Sequence, residues 1–217
     1  MAPWSGTASS TPVTERADLL PLFPLQTVLF PGGLLMLKVF EARYLDLVTQ
    51  CLRSGRPFGV VCLRQGHEVG RATGRVLFEG MGVQARIDEV DGEQAGILKV
   101  RCIGLERFRL EGVPTQQPDG LWQSAATPVE PDARRMPGPA VFETVKALSN
   151  AIASLRERGP LPFAEPFRLD DAGWVANRWC ELLPIPLSAK QKLMALEDPV
   201  VRLSVVDGYL RDKQVVR

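Results

Sequence analysis

Apolar positions along this chain fall into two regimes. From Leu19 to about Val129 they come in short runs and alternations broken by glycine and proline, the pattern of β-structure. From Val141 onward they recur every three or four residues, the period of helices. The first regime opens with LLPLFPLQTVLFPGGLLMLKVFEARYLDLV, residues 19–48. Pro21, Pro24 and Pro31 interrupt it. Proline lacks a backbone donor, so the run is read as an extended edge segment and not as a central strand or a membrane helix. Pro31-Gly32-Gly33 predicts a turn, Leu34 to Phe40 a strand, and Glu41 to Arg53 a helix whose Tyr44, Leu45, Val48, Cys51 and Leu52 share one face.

Gly55 and Pro57 end that helix, and PFGVVCL (57–63) reads as a buried strand. Gly66, Gly70 and Gly74 punctuate a loop. A long strand is expected over 75–90, with Gly80 and Gly82 as bend points, followed by a hairpin turn at Asp91-Gly92 and a return strand over 96–104. The alternating LERFRLEGV, a turn at Pro118-Asp119-Gly120 and a strand from Leu121 complete the region. Short strands at this spacing predict a small barrel or sandwich.

Composition shifts at PDARRMPGP, residues 131–139, which reads as a linker. Val141, Val145, Leu148, Ile152 and Leu155 then form one apolar stripe, taken as the core face of a helix closed by Gly159-Pro160. After a proline-rich connector (159–169), Asp170 or Asp171 caps a helix over 172–183. Its Trp174 and Trp179 are five residues apart and fall on partly different sides, so one is expected to be exposed. Ser188 is expected to cap a short helix through Leu196, and Asp198-Pro199 to start the last one, over 199–211. The expected organisation is a disordered arm (1–17), a β-rich part (18–130), the linker (131–139) and a helical part (140–213).

Charge and chemistry narrow the function classes. Net charge is +1, with 26 basic and 25 acidic residues, a balance that argues against phosphate gripping and so against nucleic acid. Arg101, Arg107 and Arg109 are interleaved with Glu106 and Glu111 and read as a solvated strand face. Cys51, Cys62, Cys102 and Cys180 sit in separate apolar runs and read as buried free thiols, not a zinc cluster. The one histidine, His67, lies in a loop; pairing it with Cys51 or Cys62 as a catalytic unit is disfavoured, because those thiols sit in apolar surroundings. No apolar run approaches the roughly 20 residues of a membrane span. The first 16 residues lack the basic start and apolar stretch of a secretory signal, so a cytoplasmic setting is expected. There is no GxxxxGK[ST] to cradle nucleotide phosphates, and no cofactor is expected.

Three separated blocks carry a resemblance. LPLFPLxxVLFPGxxLxLxxFExRY (20–44), LKVRCIGLERFRLEG (98–112) and WCELLPIPLSAKQKLMALEDPVVRL (179–203) stand in the order and spacing of the Lon N-terminal domain family, and the chain resembles the stand-alone form without AAA+ and protease modules. The resemblance implies an α+β fold: a PUA-like β pseudo-barrel with one inserted helix, followed by a C-terminal helical bundle of three to four helices. It also implies a non-catalytic recognition module binding unfolded or apolar polypeptide segments, or a partner protein, in connection with proteolysis. The alternative is an RNA-binding PUA-like domain. The candidate contact residues are Glu41, Arg43 and Tyr44 at the start of the first helix, with Met81, Trp122 and Trp174. The Glu41–Tyr44 corner is preferentially read as structural, with Glu41 at the positive helix end, Arg43 on a carboxylate and the Tyr44 ring buried.

Overall fold

The computed structural model describes residues 19–66 and 76–216. Seven strands come first: β1 (Leu20–Leu25), β2 (Leu34–Val39), β3 (Phe58–Gln65), β4 (Leu77–Phe78), β5 (Met81–Gln94), β6 (Ile97–Gln116) and β7 (Trp122–Pro128). One helix, α1 (Ala42–Ser54), is inserted between β2 and β3. Four follow: α2 (Phe142–Arg158), α3 (Ala172–Leu182), α4 (Leu187–Ala195) and α5 (Pro199–Asp212). The strands run β1-β7-β6-β5-β3, and β3 pairs back onto β1 in parallel, closing a ring. β4 extends β3, and β2 lies beside the first half of β6. This is the expected α+β, PUA-like pseudo-barrel with its inserted helix and C-terminal helices.

Closure overturns the edge reading of the first segment. β1 is flanked on both sides, by β7 and by β3. Its prolines survive there because the two pairings overlap only at Leu22. Pro21 lies opposite Gln123 of β7, before the β3 pairing begins, and Pro24 lies opposite Val61 of β3, after the β7 pairing has ended. Successive residues of a strand bond to opposite sides, so a proline beside a single neighbour can turn its missing donor away from the ladder.

The hairpin also differs from expectation. Asp91 and Gly92 stay in β5, opposite Lys99 and Leu98, with a register irregularity between Gly92 and Gln94. The reversal falls at Ala95-Gly96, where Gly96 has φ +80, a conformation that suits glycine. Asp91-Gly92 is thus a paired part of the strand just before a register irregularity, and not the turn. The strand expected over 75–90 is broken at Glu79-Gly80 into β4 and β5, and the stretches 96–104 and 105–113 are one continuous β6.

Two apolar clusters occupy opposite faces of the strands, as period-2 alternation requires. The large one takes Phe23 and Leu25 from β1 and Phe58, Val60 and Cys62 from β3, and continues into α1 and all four later helices. The small one is Leu22, Val61 and Phe108, each fully buried, rimmed by Leu20, Phe78, Leu110, Trp122 and Ala126. Its key is space. A Cβ at Gly59 or Gly82 would stand 2.7 or 2.6 Å from Phe108 Cζ, so both strands give up side chains to admit that ring. On α1, Leu47 is buried where Leu52 was expected; Leu52 is exposed.

α3 is the central helix. Nine of its eleven residues are buried, Trp174 and Trp179 among them, so neither tryptophan is exposed. Asp171 accepts from Gly173 N and caps it; Asp198 accepts from Val200 N and Val201 N and caps α5. Ser188 caps nothing: Pro186 stands at the N-cap of α4. The α2 stripe does face the core, with Leu148 and Ile152 buried.

The helices are fixed to the barrel by a buried polar network. Arg107 of β6 is 2% exposed, not solvated as expected. Its Nη2 donates to Asp132 Oδ1 at 2.6 Å, and its Nη1 to the carbonyls of Met194 and Leu196. Arg202 of α5, equally buried, donates from Nη1 to Asp132 Oδ2 at 2.6 Å and to Asn177 Oδ1 at 3.0 Å, from Nε to Leu193 O, and from Nη2 to Leu196 O. Asp132 thus serves two guanidiniums from inside the stretch 131–139. The acceptor carbonyls lie at the C-terminal end of α4, where the helix dipole is negative. Removing the carboxylate leaves two buried cations facing each other. Asp132→Asn is therefore expected to lower stability by about 3 kcal/mol or more in urea unfolding; a loss below about 1 kcal/mol would mean that the network is not holding the two parts together.

Candidate functional site

The six sequence-derived candidates do not converge. Arg43 donates to Glu41 Oε2 at 2.9 Å and to Gly120 O at 2.8 Å, and its guanidinium lies 4.6 Å from the Tyr44 ring centre. Tyr44 is buried and stacks on Phe23, centroids 3.9 Å apart. These contacts lock the start of α1 to the β6–β7 turn. Met81 is buried, and its carbonyl accepts from Gln191 Nε2 of α4 at 2.8 Å. Trp122, half-buried, meets Phe78 edge-on at 5.0 Å on the rim of the small cluster. Trp174 packs beside Phe163 and Phe167. His67 lies outside the described residues.

Two concave features stand out, and each takes in part of that set. The first is an apolar groove of about 340 Å³ along β2, lined by Phe23, Leu25, Leu35, Phe40 and Tyr44, with Glu41 at its end. Among the described residues β2 pairs with β6 and with no second strand, apart from a bridge between Gly33 and Phe163 at its start. Met36 and Phe40 are 65% and 49% exposed on this strip. Large side chains at that exposure beside a one-sided strand mark a contact surface, not core. Sequence reasoning named Glu41 and Tyr44 here but missed Met36 and Phe40. Residues 34–40, LLMLKVF, are apolar at every position but Lys38, so no alternation singled the two out.

The second is a cleft of about 370 Å³ where barrel and helices meet. Pro31, Gly32, Leu105, Asp132, Trp174 and Asn177 are among its walls. The turn that lines it is clamped from α3. Arg178, fully buried, donates from Nη2 to Pro31 O at 3.0 Å and to Glu181 Oε1 at 2.8 Å, and from Nη1 to Gly32 O. Glu181 Oε1 stands so close over Gly33 that any side chain there would overlap it. Glu181 Oε2 is buried without a hydrogen-bond partner. Burial pushes the Glu181 carboxyl from its ordinary 4.5 up to about 7, against the pull of Arg178 and Lys190.

The chemistry of the remaining groups is quiet. All four cysteines are free and buried, as expected. Burial pushes the Cys102 and Cys180 thiols up to about 12 and raises Cys51, so these sulfurs stay protonated at neutral pH and are poor nucleophiles. Among the described residues no group of acidic, histidine and cysteine side chains is arranged to hold a metal ion, and no helix is long and apolar enough to cross a membrane.

Comparison with known proteins fits this architecture. The model of the ATP-dependent protease La (LON) substrate-binding domain matches residues 19–212. The chain belongs to this LON substrate-binding domain family. Lon protease 2 of Myxococcus xanthus is 26% identical over 203 residues, which cover 92% of this chain and 24% of that protein. The chain therefore spans about a quarter of this curated relative. A crystal structure of a Lon N-terminal domain protein from Xanthomonas campestris superposes with a TM-score of 0.70 at 31% identity, covering 88% of this chain and 98% of that one. The N-terminal domain of Mycobacterium avium complex Lon protease shares the fold, with a TM-score of 0.58 at 19% identity over 90% and 99% of the two chains.

The raised carboxyl of Glu181 has a signed consequence. The folded state keeps this proton in a range where the unfolded chain has released it. The stabilising contribution is whole below about pH 4.5 and is lost as pH rises through about 7. Wild-type stability, measured against Glu181→Gln by urea unfolding, should decline across that window by about 1–3 kcal/mol. Parallel curves for the two proteins would show that Glu181 ionises freely in the fold.

Proposed function

We propose that this chain is a non-catalytic recognition module for unfolded or apolar polypeptide segments, and that the β2 groove is where they lie. The observation that carries the reading is the one-sided strand β2 with Met36 and Phe40 exposed above an apolar trough. An extended segment beside such a strand can use main-chain hydrogen bonds for affinity and seat alternate side chains in the trough for selectivity. Family membership supports the substrate-recognition role, and the name of the Myxococcus relative, Lon protease 2, supports a link to proteolysis. RNA binding draws no support from the charges: Arg101 is paired with Asp88 and Glu89, Arg107 with Asp132, and Arg109 with Glu197.

The test is a titration of labelled, reduced and carboxymethylated α-lactalbumin, a permanently unfolded chain, followed by fluorescence anisotropy. Saturable binding is expected. The double variant Met36→Asp/Phe40→Asp changes only exposed positions, so its circular dichroism should match wild type while its affinity drops at least about tenfold. Absence of saturable binding at high micromolar protein overturns the reading. Equal affinity in the variant moves the site elsewhere.

A further inference from the structure

The junction cleft is lined by a buried amide of which the fold uses only the oxygen. Asn177 of α3 is 3% exposed. Its Oδ1 accepts from Arg202 Nη1, and since a guanidinium only donates, that contact fixes which way the amide points. Among the described residues the amide nitrogen, Nδ2, makes no hydrogen bond, and it is not among the sealed buried atoms lacking one, so it keeps some access to solvent. The cleft that Asn177 lines is the space left to it. An unpaired donor in the wall of a cleft selects an acceptor.

The walls and the charges say which acceptor. Pro31, Pro131, Pro166, Leu105, Ala164 and Trp174 supply an apolar lining. The lining also carries Arg107, Arg168, Asp132, Glu106, Glu165 and Asp171. Arg202 and Arg156 stand behind Asp132 and Glu165 as their ion-pair partners, which brings the sum to zero. Asp171 is engaged in capping α3. A free carboxylate gains nothing from a neutral surround and meets Glu106 at the rim, so a neutral carbonyl flanked by apolar atoms fits best. We infer that the cleft is a second polypeptide contact, seating an apolar residue whose backbone carbonyl accepts from Asn177 Nδ2. This rests on the polypeptide-recognition reading and adds a site that the groove does not contain.

The probe is the capped tripeptide acetyl-Val-Leu-Val-amide, titrated into the full chain labelled with nitrogen-15. Saturable shifts of the Asn177 side-chain amide pair and the Trp174 indole signal are expected. Asn177→Asp keeps an oxygen for Arg202, balances the two guanidiniums around Asp132 and replaces the donor with an acceptor. It should stay folded and bind the tripeptide at least about tenfold more weakly. Ala164→Trp, placed on the cleft wall away from the network, should block the same shifts. Unchanged affinity in both variants overturns the inference, as does tighter binding of the free acid acetyl-Val-Leu-Val, which would assign the site to a carboxylate. If wild type binds carboxymethylated α-lactalbumin but gives no tripeptide shifts, the cleft inference alone fails. If wild type binds neither, the recognition reading fails with it.

Discussion

One carboxylate decides how the two parts of this molecule meet. Asp132 lies in an irregular stretch, yet among the described residues it is the carboxylate that Arg107 from the barrel and Arg202 from the last helix share as ion-pair partner. Two buried cations on one anion leave an excess positive charge, which would be costly on its own. The structure offsets it with dipoles: the carbonyls of Leu193, Met194 and Leu196, at the C-terminal end of α4, all accept from these guanidiniums. Sheet, irregular stretch and two helices are thereby held by one set of bonds. The set is directional, so it fixes orientation as well as proximity, which apolar burial alone does not.

The Arg178 clamp works differently. It also buries a guanidinium, but its anion, Glu181, is the weaker member because burial favours the protonated form. The clamp therefore depends less on charge pairing than on the carbonyls of Pro31 and Gly32, which accept whatever the state of the carboxyl. Gly33 completes it by having no side chain: Glu181 occupies the volume that a Cβ would fill. The Pro-Gly-Gly of the opening segment is thus a turn shaped to receive α3.

What could be read from the sequence follows from which forces are local. The regimes of period, the caps at Asp171 and Asp198, the core stripe of α2 and the buried thiols are set by neighbours in the chain, and they stand where the pattern put them. The departures are tertiary. β1 became a two-sided strand through ring closure, which its prolines tolerate because each has a single neighbour, and no local rule encodes closure. Arg107 looked solvated because its partners, Asp132 and the end of α4, lie 25 and nearly 90 residues away. Glu41, Arg43 and Tyr44 were legible as a corner, but the exposed Met36 and Phe40 were hidden inside a run that looked uniformly apolar.

The two concave features are mechanically related. Pro31 and Gly32 form part of the cleft wall, and the chain runs from Gly33 directly into β2, whose residues line the groove. Arg178 grips the segment between them from the most buried helix of the molecule. A displacement of this turn would open or close the cleft and shift the start of β2 together, because Gly33 and Gly104 are also joined across the sheet by the Gly104 N to Gly33 O bond at 2.9 Å. Holding the turn by carbonyls on one side and by the β6 ladder on the other keeps both surfaces in one fixed relation. If the groove and the cleft receive extended chains as proposed, such preorganisation lowers the ordering entropy that binding would otherwise have to overcome.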